Sequence, residues 1–280
     1  MTNLVLGTAQ WGDPYGVTNE RGRLTGADIK ELIRVAEECG IEDLDTARGY
    51  GDSEERLRPF AQDFSVTTKA RGRSDVVRQI EDSLDRLGLE SVTSVLIHDW
   101  EDLDADGRAA TVGGLRSSLE SGLTDRVGAS IYTEMGVESA VEDFAAGDVE
   151  LGALQVPANA LDRRLDGSVL LEELAAGGAQ ITVRSAFLQG VLLADQHRRA
   201  AHPDVRAFVE WVRDDESQAS LLEACLAHVR SLPWATHVVV GATSAAELEE
   251  ICGAWRACGV ERAPLELGSS DLELIDPRRW

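Results

Sequence analysis

Four side chains that bind or release protons stand at the ends of short apolar segments. Asp45 and Lys69 each close such a segment, His98 closes the next one, and Tyr50 follows Asp45 by five residues. An ammonium beside a phenol favours the phenolate, so Lys69 is expected to lower the pKa of Tyr50 towards the range of a general acid. Asp45 would pair with the lysine, and His98 would orient a substrate oxygen. The set predicts proton donation to a carbonyl oxygen while hydride reaches the carbon.

These residues need a scaffold that brings strand ends together, and the hydrophobic pattern indicates one. Eight short apolar segments alternate with amphipathic helical patterns along the chain. The eight predicted strands are Leu4–Thr8, Ile41–Asp45, Ser65–Lys69, Ser94–His98, Arg126–Ile131, Ala153–Val156, Gln180–Arg184 and His237–Gly241. Strict alternation over 280 residues predicts a single-domain (β/α)8 TIM barrel, an α/β fold with a closed parallel sheet, spanning residues 1–280. Its active site would lie where the strands end.

Helix boundary signals support the same organisation. Thr25 with Asp28 forms a capping-box pattern, Ser74 begins a helix that ends at Gly88, and Ser244 with Glu247 begins another. The longest irregular stretch, residues 191–203, follows the seventh strand. It is interpreted either as a ligand-covering loop or as a solvated surface loop.

Composition excludes several classes of partner. The chain has 27 Lys and Arg against 50 Asp and Glu, a net charge of −23, so it would repel nucleic acid and anionic membrane surfaces. Apolar segments approaching the ~20 residues of a membrane span are absent from the sequence, as is a basic, apolar leader. We therefore expect a cytoplasmic protein.

The four cysteines do not suggest a metal centre. Cys39, Cys225, Cys252 and Cys258 form no CxxC pair, and the last two lack the spacing and histidines of a zinc site. We expect reduced thiols and no bound metal.

Longer motifs connect the polar residues to a known family. The segments concerned are LGTAQWG at 6–12, DTARGYGDSE at 45–54, SLDRLGL at 83–89, LIH at 96–98, GAS at 128–130, LQ at 154–155, SAFLQG at 185–190 and VGATS at 240–244. Nearly end to end, the chain resembles the aldo-keto reductase superfamily, and the DTAxxYGxSE segment in register with the later lysine and histidine is the most specific match. The resemblance implies an NAD(P)H-dependent reductase with Asp45, Tyr50, Lys69 and His98 as its catalytic tetrad.

The resemblance also implies a cofactor site, with the dinucleotide extended across the barrel mouth. Ser130 and Gln155 would hold the carboxamide, and the ring would pack near Ser185. Asp45 is a further cofactor-binding residue that the resemblance implies. The pyrophosphate would contact Gly7, Thr8, Phe187, Leu188 and Gly190, and the adenosine end would contact Gly241, Ala242, Thr243, Ser244 and Glu247. A GxGxxG fingerprint does not follow any predicted strand, which is consistent with this mode of binding.

Three positions depart from the family pattern. Ile131 and Ile251 replace asparagines, and Glu247 stands near the position where relatives that grip the 2′-phosphate of NADPH carry Arg or Lys. Glu247 could complete a capping box with Ser244, but in either role its carboxylate opposes a second anion at a helix N-terminus. The cofactor is therefore NADPH or NADH, with the family preference for NADPH weakened.

The substrate is expected to be a small carbonyl or alcohol. Nearby aromatic residues would suit a sugar or another polyhydroxylated compound, and core or rim packing explains them nearly as well. Tyr50, His98, Trp11 and Trp100 are the predicted contacts, and Tyr15 and Trp211 are further aromatic candidates. Two alternatives stay open: a non-catalytic nucleotide-binding module of the same fold, and a lyase in which Lys69 forms a Schiff base. The sequence does not indicate an oligomeric state.

Overall fold

A computed structural model describes residues 2–72, 75–195, 201–214, 219–257 and 262–280. The strands are β1 Asn3–Gly7, β2 Asp43–Asp45, β3 Ser65–Ala70, β4 Val92–Ile97, β5 Thr124–Ser130, β6 Ala153–Pro157, β7 Gln180–Arg184 and β8 His237–Val240. All neighbouring pairs are parallel, and β8 returns to β1, which closes the barrel. The predicted (β/α)8 fold is confirmed, with strand limits shifted by at most two residues.

Eleven α-helical segments lie among the described residues. They are α1 Ala9–Gly12, α2 Gly26–Cys39, α3 Ser53–Leu57, α4 Val76–Leu87, α5 Ala105–Glu120, α6 Glu134–Ala146, α7 Val169–Ala176, α8 Pro203–Asp214, α9 Leu221–Arg230, α10 Ala245–Arg256 and α11 Leu272–Ile275. No helix found in the described part of the chain has the length and apolar character needed to cross a bilayer.

The helix boundaries follow the predicted chemistry in most places. The capping box of Thr25 and Asp28 is present at the start of α2, and Gly88 ends α4 in the left-handed conformation with φ 69°. Ser74 lies outside the described residues. The predicted irregular stretch opens within a 3-10 segment, Leu188–Leu193, and its residues 196–200 also lie outside the description.

The core consists of two clusters of buried apolar side chains. The larger one fills the barrel and the layer between strands and helices. The smaller one includes Leu188, Leu192, Phe208 and Ile275, so it packs the segment after β7 against α8 and the C-terminal residues. This second cluster fixes the wall of the barrel mouth on the β7 side.

A buried hydroxyl network positions the loop that carries Tyr50. Ser53 Oγ donates to Thr8 O at 2.9 Å and lies 2.7 Å from Thr8 Oγ1, and Thr8 Oγ1 donates to Asp45 O at 3.1 Å. Gly12 contacts the same loop so closely that an added Cβ would lie 1.8 Å from Tyr50 O. The ends of β1 and β2 and the start of α3 are thereby held together.

Candidate active site

A cavity of about 900 Å³ opens at the carboxyl ends of the strands. Side chains from the ends of β2, β4, β5, β6 and β7 line it, and so do the segments that follow β1, β7 and β8. In enzymes with this barrel fold, the active site lies on this face.

Asp45 and Lys69 form an ion pair at the base of the cavity. Lys69 Nζ donates to Asp45 Oδ1 at 2.5 Å and to Thr46 O at 3.1 Å, and both charged side chains are at most 5% exposed. Gln155 Nε2 donates to the second carboxylate oxygen of Asp45 at 2.7 Å. Burial lowers the pKa of Lys69, and the Asp45 carboxylate opposes this effect.

Tyr50 lies above this pair. Its hydroxyl is 3.5 Å from Lys69 Nζ, which thus has three oxygen neighbours for the three donors of an ammonium. Burial, reinforced by the Asp45 charge, raises the pKa of Tyr50 above its ordinary value of 10. The prediction that the pKa of Tyr50 is lowered is wrong, because burial and the Asp45 charge both raise it.

His98 directly follows β4 and lines the cavity beside Tyr50. The two rings meet edge to face, with centroids 5.9 Å apart. Burial, with help from Lys69, Arg184 and Arg71, lowers the pKa of His98 from 6.5 to about 3. The imidazole is therefore neutral at physiological pH and has one N–H to donate.

The residues expected at the nicotinamide end lie on adjacent strands. Ser130, at the end of β5, and Gln155, in the middle of β6, are register partners, and both line the cavity. Ser185 lies on the same wall with φ 61°, and Asn159 Nδ2 donates to its carbonyl oxygen at 3.1 Å. Because a non-glycine residue rarely adopts this conformation, the Asn159 contact helps to hold the backbone against the cavity.

The turn after β7 and the segment after β1 meet along one side of the cavity. Gly190 has φ 94°, and an added Cβ would lie 2.1 Å from Thr18 Oγ1. Gly7, Thr8 and Phe187 also line the cavity, whereas Leu188 is buried in the second core cluster.

At the far end, Glu247 folds back onto the segment that precedes α10. Its carboxylate accepts hydrogen bonds from Thr243 N at 2.7 Å and from Thr243 Oγ1 at 2.8 Å, while Ser244 Oγ accepts from Glu247 N. The reciprocal capping bond thus goes to Thr243 rather than Ser244. Gly241, Thr243 and Glu247 line the cavity; Ala242 is buried, and Ser244 caps the helix.

The tryptophans expected to contact substrate lie elsewhere. Trp11 and Trp100 are fully buried, so the prediction that they face the cavity is wrong. A 3-10 turn at Trp100–Asp102 directs the indole of Trp100 towards α6, where its Nε1 donates to Ser139 Oγ. Trp211 packs on Phe208 in the second cluster, whereas Tyr15 does line the cavity.

Tyr132, Arg184 and Arg278 are among the cavity residues that sequence reasoning missed. Tyr132 follows β5, and the guanidinium carbons of Arg184 and Arg278 lie 3.8 and 3.9 Å from its ring centroid. Arg184 could have been found, because it is a charged residue that closes an apolar strand, as Asp45 and Lys69 are. Tyr132 and Arg278 carry no comparable signal in the sequence.

Comparison with known proteins identifies the family to which the chain belongs. A model of the aldo/keto reductase family matches residues 3–258. The chain belongs to the aldo/keto reductase family. The sequence-based assignment is therefore confirmed, and family membership implies NAD(P)H-dependent reduction of small-molecule carbonyl compounds.

Solved aldo-keto reductases share the fold. Aldo-keto reductase AKR11C1 from Bacillus halodurans, in its holo form, is 16% identical with a TM-score of 0.78, and the match covers 99% of this chain and 95% of that one. The thermostable aldo-keto reductase Tm1743, in complex with the inhibitor epalrestat, is 22% identical with a TM-score of 0.70, over 93% and 92% of the two chains. These likenesses concern the barrel itself.

Proposed function

We propose that this aldo/keto reductase reduces an aldehyde or ketone with Tyr50 as the proton donor. The observation that carries the proposal is the stacked arrangement of Asp45, Lys69 and Tyr50, in which a neutral phenol faces the cavity above a buried ion pair. The neutral imidazole of His98 beside the phenol supplies a second donor for the same substrate oxygen.

The residues around the cavity fit a nicotinamide nucleotide. Ser130 and Gln155 offer a hydroxyl and an amide to a carboxamide, and Gly190 lacks a Cβ where two segments approach closely. A cavity of about 900 Å³ lies at the upper end of the range for ligand sites. When bound, the reduced nucleotide supplies hydride to the carbonyl carbon. The structure of the Bacillus halodurans relative is a holo form, which supports cofactor binding by a protein of this fold.

The proton step depends on the chain's own residues. His98 donates its N–H to the carbonyl oxygen and orients it, while Tyr50 gives its proton to that oxygen. The raised pKa keeps the phenol protonated at neutral pH, and an alkoxide is a stronger base than the phenolate that replaces it. The ammonium of Lys69, 3.5 Å from the hydroxyl, then stabilises the negative charge on Tyr50.

The nucleotide preference is proposed to be shifted towards NADH by Glu247. Its carboxylate already occupies the donors of Thr243 at the start of α10, where a 2′-phosphate would need them. A second anion would have to displace this carboxylate or lie beside it.

The geometry supports the Schiff-base alternative less well than it supports carbonyl reduction by Tyr50. Lys69 Nζ is buried beneath Tyr50 with three oxygen neighbours, and Lys69 is not among the cavity-lining residues. A functional test distinguishes the other alternative, the non-catalytic module, because such a protein would bind nucleotide without reducing any carbonyl.

That test follows the absorbance of NADH and NADPH at 340 nm with a panel of aldehydes, ketones and sugars. Carbonyl-dependent oxidation of either nucleotide is the expected result. Tight nucleotide binding without oxidation by any carbonyl would contradict the proposal and favour the module.

A further inference from the structure

Arg184 places a positive charge inside the cavity that the proton step does not use. It ends β7 and pairs in register with Pro157 at the end of β6. Its Nη2 donates to Ile131 O at 3.2 Å, so the side chain passes the end of β6 and reaches the residue after β5. Because β5 neighbours β4, the guanidinium lies on the side of the mouth that carries His98.

The guanidinium of Arg184 is held rigidly. Its Cζ lies 3.8 Å from the centroid of Tyr132, and the Cζ of Arg278 lies 3.9 Å from the same centroid. Two groups of this size cannot share one face at that distance, so they occupy opposite faces of the ring. Arg278 is anchored to Asp276 and Glu101, each at 2.6 Å. The stack therefore presents Arg184 in a fixed position.

The two arginines differ in charge balance. Arg278 has two carboxylate partners, whereas no carboxylate within the described ranges lies within ion-pairing distance of Arg184. Asp45, the acidic residue nearest the reacting groups, is neutralised by Lys69. The other carboxylates that line the cavity lie on the segments after β1 and β7 and on α10: Glu20, Asp195, Glu247 and Glu250.

An uncompensated, half-buried cation is costly to keep in a chain with a net charge of −23, where acidic partners are abundant. A guanidinium offers five donors in a planar fork, and its hydrogen bond to Ile131 O uses only part of that capacity. The geometry points to a carbonyl substrate that bears a carboxylate, with Arg184 as the residue that binds the carboxylate while the carbonyl oxygen lies at Tyr50 and His98. This inference rests on the proposed function and names its substrate class.

The test compares substrates that match in size and differ in charge. D-glucuronate is paired with D-glucuronamide, and succinic semialdehyde with its amide, 4-oxobutanamide, and the ratio of kcat/KM within each pair is measured. We expect the carboxylate to be preferred by about 10- to 100-fold, the range of a charge-assisted hydrogen bond. Arg184→Met should reduce the ratio to near 1, and Arg184→Lys should recover it in part because the charge remains without the fork.

Arg116→Met is the matched control, since Arg116 is exposed on α5 and its loss changes the net charge equally. The control should leave both ratios unchanged. The ratios should also fall with added salt in the wild type, and less so in Arg184→Met.

Either of two kinetic results would overturn the inference. One is reduction of carbonyls with no preference for the carboxylate, or with a preference that Arg184→Met leaves intact. The other is an Arg184→Met variant whose nucleotide Kd rises while the ratios stay the same, which would assign the residue to the nucleotide. If no carbonyl is reduced, the proposed function fails, and calorimetric titration of D-glucuronate into the NAD⁺ complex decides the anion site separately: binding lost in Arg184→Met supports it, and equal or absent binding overturns it.

Discussion

Lys69 Nζ lies 2.5 Å from Asp45 Oδ1, and the pair is sealed beneath the phenol of Tyr50. A buried ion pair of this kind leaves a costly unpaired charge when one partner is removed. In the proposed mechanism the pair acts electrostatically, because it holds an ammonium next to the hydroxyl while keeping the local net charge near zero.

Lys69→Met is expected to lower the free energy of unfolding by about 3–5 kcal/mol, since the Asp45 carboxylate would remain buried without its cation. Lys30 is the only other lysine in the chain and is exposed on α2, so Lys30→Met is the matched control. Urea denaturation of both variants checks the prediction. Equal and small losses in the two variants would contradict it.

The pH dependence should show no ionisation of His98 between pH 5 and 8. Because the pKa of His98 is lowered to about 3 in the folded protein, its imidazole is unprotonated between pH 5 and 8. In the unfolded chain the same imidazole takes up a proton below about pH 6.5. The free energy of unfolding should therefore fall as the pH drops from 6.5 towards 3, and less steeply in His98→Gln. Imidazole NMR signals assigned with that variant provide the direct measurement, and a His98 midpoint near 6.5 would disprove the assignment.

Much of the fold and part of the site could be predicted from the sequence. Short apolar segments between helical patterns define the eight strands, because strands covered on both faces are largely apolar. Where a titratable residue ends such a segment, its position at the carboxyl end of the barrel follows from the fold, as for Asp45, Lys69 and His98.

The predictions that failed depend on distances between residues, which a sequence does not contain. Burial and the Asp45 charge together raise the pKa of Tyr50, so an argument from Lys69 alone predicts the wrong direction of the pKa shift. The direction of Trp100 depends on a single 3-10 turn after His98. The stack of Arg184 on Tyr132 joins residues that are 52 positions apart, and no local pattern indicates it.

Gly190→Ala should weaken nucleotide binding, because a Cβ at φ 94° would collide with Thr18 Oγ1 and displace the turn along the cavity. Gly22→Ala is the control, since Gly22 also has a positive φ, 72°, but no atom lies within 4 Å of the added Cβ. Gly22→Ala should lower the free energy of unfolding by about 1 kcal/mol, because it introduces backbone strain alone. Fluorescence titration gives the Kd, and adding Thr18→Ala to Gly190→Ala should restore part of the affinity. Equal Kd values for the two glycine variants would contradict the close-approach argument.

Glu247→Arg should improve NADPH affinity on the order of tenfold relative to NADH, because the substitution replaces an anion with a cation at a helix N-terminus. Glu247→Gln keeps a group that can accept from Thr243 and should give a smaller change in the same direction. Glu249→Gln, exposed on the same helix, controls for the lost charge. Unchanged discrimination between the nucleotides in Glu247→Arg would refute the electrostatic account.

The central claim is that Tyr50 donates the proton, and Tyr50→Phe tests it most directly. Phenylalanine preserves the ring beside His98 and removes the hydroxyl 3.5 Å from Lys69. The decisive measurement is the single-turnover rate of carbonyl reduction with prebound nucleotide, together with the nucleotide Kd. The account predicts a Kd within about twofold of the wild type and a rate reduced by at least about 100-fold, the usual contribution of a positioned general acid. A single-turnover rate equal to that of the wild type would contradict it.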